Sequence, residues 1–156
     1  MNSKFMTDAL ILAEEAFNAG EVPVGAVITK KGQIIGKGRN GREMKQNSLS
    51  HAEIEAINDA CKNSGDWRLD GCTMYVTLEP CLMCMGAIVN ARIDTLVFGA
   101  FDFENGCADS IMNPNILLKT DKPQIFGGIY EDECKKLLDS FFKSVRKNDG
   151  KKTTNN

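Results

Sequence analysis

Histidine is nearly absent: a chain of 156 residues holds one, His51, so any role that needs an imidazole falls on it. Long apolar runs are missing as well. Nothing approaches the ~20 consecutive apolar residues of a membrane span, so no membrane partner is expected. Charge of one sign is not in excess, with 21 acidic against 19 basic residues and a net charge of -2. Proteins that coat nucleic acid non-specifically are usually strongly basic, so any nucleic-acid contact must use a local patch. Met1 to Leu10 lacks a charged stretch leading into an apolar block, and no signal peptide is expected. Six cysteines without such a signal point to a reducing compartment, without a disulfide framework; the expected location is cytoplasmic.

What is present suits one ordinary domain. Apolar residues make up 42% of the chain, and a chain of this length buries roughly 68–70% of its unfolded surface, which excludes disorder as the main state. Met6, Ala9, Leu10, Ala13, Ala16 and Phe17 fall at helical spacing, so residues 4–19 read as an amphipathic helix stopped at Gly20. Val22 to Thr29 reads as a buried strand. Lys31-Gly32 reads as a turn, and Gln33 to Arg39 as the hairpin partner. Residues 40–50 read as a polar loop. His51 to Cys61 reads as a helix buried along Ile54, Ile57 and Cys61; Asn63 to Asp70 reads as a loop. Thr73 to Leu78 is a strand, Cys81 to Ala91 a helix entered through Pro80, and Asp94 to Ala100 a fourth strand. Phe101 to Pro123 gives no regular pattern. The last helix carries Cys134, Leu137, Leu138, Phe141, Phe142 and Val145 on one stripe; from Arg146 the composition is that of a frayed, solvated tail. The order describes one α/β domain, with helices packed on a mixed sheet.

His51-Ala52-Glu53 and Pro80-Cys81-Leu82-Met83-Cys84 carry the chemistry. A catalytic zinc ion takes three protein ligands and keeps one position open. Cys81 and Cys84, three apart at a helix start, project from one face, and amides at that terminus favour the thiolates zinc requires. His51 supplies a third ligand from the start of another helix. Glu53, two residues on, is too near in chain for a comfortable fourth ligand but reaches a water in the open position. Zinc lowers the pKa of such a water towards ~7, and a carboxylate beside it can move its proton. Bland readings stand beside this one. A histidine at a helix start is commonly a cap or a surface residue. Two cysteines three apart also suit a redox pair or two small buried hydrophobes. Cys61, Cys72, Cys107 and Cys134 lie scattered in apolar runs and read as core.

His-x-Glu with Pro-Cys-x-x-Cys is the established signature of zinc nucleobase deaminases. At these residues the chain resembles the cytidine deaminase superfamily, and more closely its bacterial tRNA adenosine deaminases. The supporting stretches are Gly20 to Val27, His51 to Ile54, Trp67-Arg68-Leu69, Tyr75 to Ile88 and Phe141-Phe142, and the likeness spans about residues 5–147. It implies a three-layer α/β/α fold with a mixed central sheet of about five strands. It also implies one deaminase domain over residues 1–147, a solvated tail over 148–156, one zinc ion per subunit, and a homodimer. The implied activity is hydrolytic deamination of adenosine to inosine at the wobble position of a tRNA anticodon. By resemblance Asn40 hydrogen-bonds the target adenine, the Ala52 N–H lies beside the leaving group, and Val22, Leu78 and Pro80 line the slot around the base. Asp102 lies near the ribose, where a 2′-hydroxyl can be read. Phe141 and Phe142, with Lys143 and Arg146 behind them, meet the anticodon stem-loop.

Read without the resemblance, Asn40 is a turn residue and one phenylalanine of the pair is core. The chain also departs from the pattern. Many relatives carry an Asn-His pair before the last strand and helix; here that segment reads Thr120-Asp121-Lys122-Pro123. Phe101 and Glu104 flank Asp102 where a basic face would better suit an RNA backbone. Two alternatives stay open: deamination of a free base such as guanine, cytosine or adenine, and a non-catalytic RNA-binding module stapled by zinc.

Overall fold

Five strands form one mixed sheet in the order β2-β1-β3-β4-β5. In this computed structural model, which describes residues 1–152, the strands are β1 Gly25–Lys30, β2 Gln33–Arg39, β3 Cys72–Leu78, β4 Thr95–Ala100 and β5 Gln124–Phe126. β1 pairs antiparallel with both β2 and β3, whereas β3, β4 and β5 run parallel. The β1–β2 hairpin turns at Lys31 and Gly32, both with positive φ (50° and 75°), the conformation a tight hairpin turn demands. β1 and β4 are almost wholly buried, so their Val/Ile/Phe-rich runs are continuous rather than alternating.

The helices are α1 Lys4–Asn18, α2 Arg42–Lys45, α3 Ala52–Ser64, α4 Leu82–Asn90, α5 Pro114–Leu118 and α6 Glu131–Lys152. α1 and α6 cover one face of the sheet, joined where Phe17 meets Phe141 edge-on at 5.7 Å. α3 and α4 cover the other, giving the three layers that the resemblance implies.

Three glycines set how closely helices approach. A Cβ at Gly25 would overlap the Ala9 carbonyl of α1 and lie 2.6 Å from the Ala13 amide; one at Gly38 would overlap the Ala52 carbonyl of α3. Gly36 makes a similar seat for Ala56 and Ala60. This seating corrects the expected buried edge of α3: Ala52, Glu53, Ala56 and Ala60 are buried, and Ile54, Ile57 and Cys61 are only half-buried. A helix pressed against glycines turns its smallest side chains to the sheet, because larger ones would hold it off.

Four further differences concern short or polar elements. The expected loop at 40–50 contains α2, and the irregular 101–123 region contains α5, capped by the Asn113 side chain on the Asn115 amide. β5 follows as a three-residue edge strand. α6 continues through Arg146 to Lys152 with exposed side chains over 143–150, so the expected frayed stretch is solvated but helical there. The remainder of the expected tail, 153–156, lies outside the described residues. Cys72, Cys107 and Cys134 are buried and Cys61 is half-buried; all six cysteines are free. Among the described residues, no helix is long and apolar enough to cross a membrane.

Candidate active site

His51 and Cys81 occupy equivalent places: each is the N-cap of its helix, in extended conformation, with no side-chain capping bond. Their side chains therefore turn away from their own helices and toward each other. His51 Nδ1 lies 3.7 Å from Cys81 Sγ and 3.5 Å from Cys84 Sγ. The three ligand atoms all fall within 4.8 Å of one another. An ion bound tetrahedrally at ~2.3 Å to sulfur and ~2.0–2.1 Å to nitrogen sets sulfur–nitrogen edges of about 3.6 Å, so these residues fit zinc in chemistry and spacing.

The electrostatics agree. Cys81 accepts a hydrogen bond from the Cys84 thiol and, against its burial, is further lowered by His51; its pKa falls to about 4. Cys84 is pushed strongly up by the same hydrogen bond and by burial. The bond to Cys81, against the opposing effect of burial, holds His51 above the ordinary imidazole value. Two helix N-termini converge here, and their partial positive charge favours anionic ligands. Glu53, on the first turn of α3, is 4% exposed. Burial raises its carboxyl above the usual range, the bond with Cys84 opposing this.

A cavity of about 410 Å³ opens beside this cluster, within the usual size of a small-molecule site. Of the residues expected around the substrate, Val22, Asn40, Ala52, Leu78, Asp102 and Phe142 line it together with His51, Glu53 and Cys81. Pro80 is buried and not part of the lining; its carbonyl instead accepts from the Cys107 amide at 2.8 Å. Phe141 is also outside the lining, half-buried against Phe17, whereas Phe142 is 43% exposed. Asn40 carries both of its readings at once. Its Oδ1 accepts from the Arg42 amide at 3.4 Å as a turn asparagine does, its Nδ2 donates to the Val22 carbonyl at 3.3 Å, and the residue still borders the cavity.

Val24, Arg42, Glu79 and Asn105 also line the cavity and escaped the sequence reading. Arg42 and Asn105 had a faint signal, each lying two or three residues beyond a residue that was named. Glu79 had none. It is 2% exposed, and although burial raises its pKa, hydrogen bonds from Ser110, Asp102 and Asp109 outweigh this and hold it low.

An imidazole and two thiols at converging helix starts, with a buried carboxylate at the edge of a cavity on this sheet, define a hydrolytic nucleobase deaminase. The family model described as MafB19-like deaminase matches residues 1–146. A tRNA-specific adenosine deaminase of Bacillus subtilis (strain 168) is 45% identical over 147 residues, covering 92% of this chain and 89% of that protein. A structure solved in studies of A-to-I editing by tRNA:A34 deaminases at the wobble position superimposes with a TM-score of 0.82 at 36% identity, covering 88% of this chain and 100% of that one. A guanine deaminase from Bacillus subtilis gives a TM-score of 0.63 at 39% identity over 79% of each chain. The chain belongs to the tRNA-specific adenosine deaminase family.

Proposed function

We propose that this chain hydrolyses adenosine to inosine and ammonia at the wobble position of a tRNA anticodon, as a cytoplasmic zinc enzyme with a single catalytic domain over residues 1–147. The observation that carries the reading is Glu53: a carboxylate buried to 4% exposure beside His51, Cys81 and Cys84 and bordering the cavity. One zinc ion per subunit, held by His51, Cys81 and Cys84, supplies when bound the Lewis acidity that makes water nucleophilic near neutral pH.

Glu53 then moves the protons. Its carboxylate takes one from the attacking water and delivers it to the ring nitrogen beside C6, and a second transfer lets the amine leave as ammonia. Burial raises the Glu53 pKa above the ordinary carboxylate range, which makes the carboxylate a stronger base for the proton it takes. Asn40 and the Ala52 N–H orient the base, Val22 and Leu78 hold its faces, and Pro80 backs the slot. Asp102 meets the ribose. Phe142, the exposed member of its pair, faces the anticodon loop while Phe141 anchors α6 to α1. A homodimer is supported by apolar side chains left exposed in one segment, with Phe103 81%, Ile116 79% and Leu117 67% exposed.

The second reading, deamination of a free base, draws support from the likeness to guanine deaminase. Incubating the purified protein with an anticodon stem-loop bearing wobble adenosine, beside free adenine, guanine and cytosine, separates the two. The proposed function yields inosine in the stem-loop; ammonia from a free base alone overturns it. A zinc-stapled binding module gives neither product, and it leaves the burial of Glu53 without a use.

A further inference from the structure

Besides Glu53, the buried carboxylates among the described residues are Glu21 and Glu79, each 2% exposed. Glu21 accepts from the Glu43 and Met44 amides and so holds α2. Glu79 is tied more heavily. One oxygen accepts from the Asp109 and Ser110 amides, both at 2.7 Å; the other accepts from the Asp102 amide at 3.0 Å and the Ser110 hydroxyl at 2.5 Å. All four donors belong to the 102–110 loop, which contributes Asp102 and Asn105 to the cavity. Within that loop Asp102 Oδ1 accepts from the Glu104 and Asn105 amides at 3.1 and 3.0 Å, so fixing Asp102 also fixes Asn105. Gly106 lets the loop fold this tightly, since a Cβ there would overlap the Glu79 carboxylate.

We propose that Glu79 is a positioning residue: its carboxylate holds the 102–110 loop so that Asp102 and Asn105 face the nucleotide bound in the cavity. This deepens the tRNA deaminase reading and rests on it. A buried carboxylate with four donors from one loop is a clamp on that loop, and the clamped residues lie on the substrate side of the site rather than among the metal ligands. The loop's grip on substrate, and not the proton transfer at Glu53, is what Glu79 governs.

Glu79→Gln tests this selectively. An amide keeps one acceptor oxygen, which serves the Asp109 and Ser110 amides, and its NH₂ group then opposes the Asp102 N–H. The Ser110 hydroxyl can rotate to accept, so the lost anchor is that of Asp102. Three quantities are read in wild type and variant: amide hydrogen exchange across 102–110, zinc content, and kcat and KM on the stem-loop. The expected result is exchange at Asp102 faster by about tenfold, KM higher by about tenfold, kcat changed less than about threefold, and zinc retained; hydrogen bonds to charged acceptors are of this size. Ser110→Ala, which removes a single hydroxyl, gives a smaller rise in KM in the same direction, and it decides the matter if Glu79→Gln does not fold. Unchanged exchange and KM, or a loss confined to kcat or accompanied by loss of zinc, overturns the proposal. A wild-type protein inactive on the stem-loop overturns the tRNA reading instead, and the exchange measurement still judges the clamp.

Discussion

His51 Nδ1 stands 3.5 Å from Cys84 Sγ across 33 residues of chain, the first as the N-cap of α3 and the second in the first turn of α4. Zinc bound between them would tie α3 to α4, so metal binding is expected to add to folding stability as well as to supply chemistry. Stripping it with a chelator is expected to abolish inosine formation and lower Tm by roughly 5–15 °C. Restoring zinc reverses both. Calorimetry with and without added zinc checks this, and an unchanged Tm would count against a metal at this place.

Glu53→Ala separates chemistry from binding. Turnover should fall by at least about 10²–10⁴, while zinc content and stem-loop affinity are kept. Because the native carboxylate is desolvated, its removal leaves Tm unchanged or higher. Single-turnover assays beside zinc analysis test the expectation; full activity in a zinc-replete variant would refute the role of Glu53.

Gly38→Ala acts from beneath α3. The added methyl overlaps the Ala52 carbonyl, so the start of α3 must lift, taking His51 and Glu53 with it. Overpacking of this kind costs about 1–3 kcal/mol. Lower Tm with a disproportionate fall in kcat is the expected pair of results, readable by melting and steady-state kinetics.

Glu55 offers a pH-dependent contribution on the outer side of α3. Burial raises its pKa, but Lys45 at 2.7 Å and the Ser50 hydroxyl at 2.8 Å more than offset this and hold it below its ordinary 4.5. A depressed folded value means the stabilisation is present above pH 4.5 and is lost as pH falls through that lower value. With Lys45 about half exposed, the amount is below about 1 kcal/mol. Urea denaturation of Glu55→Gln should show a small deficit near pH 7 that disappears in acid; a deficit constant with pH would contradict the pairing.

The strands and long helices were legible because hydrophobic periodicity reports burial directly. The clustering of His51, Cys81 and Cys84 with Glu53 beside them was legible because His-x-Glu and Cys-x-x-Cys pin four side chains to two helix starts. What escaped depends on contacts between distant segments. The orientation of α3 is decided by Gly36 and Gly38 on another element, so Ile54 and Ile57 misled as markers of its buried edge. α2, α5 and β5 are too short to show a period. Glu21 and Glu79 take backbone amides as partners, and an amide carries no residue identity for a pattern to find.

The glycine seats under α1 and α3 divide the molecule into a part with steric room for change and a part without it. With α1 and α3 resting directly on the backbone of the β1–β2 hairpin, neither can move inward without a steric clash. The segments around 40–50 and 102–110, which carry Asn40, Arg42, Asp102 and Asn105 into the cavity, rest on none of these seats. A change of substrate is thus expected at the rim, with the cluster of His51, Cys81 and Cys84 left where it is.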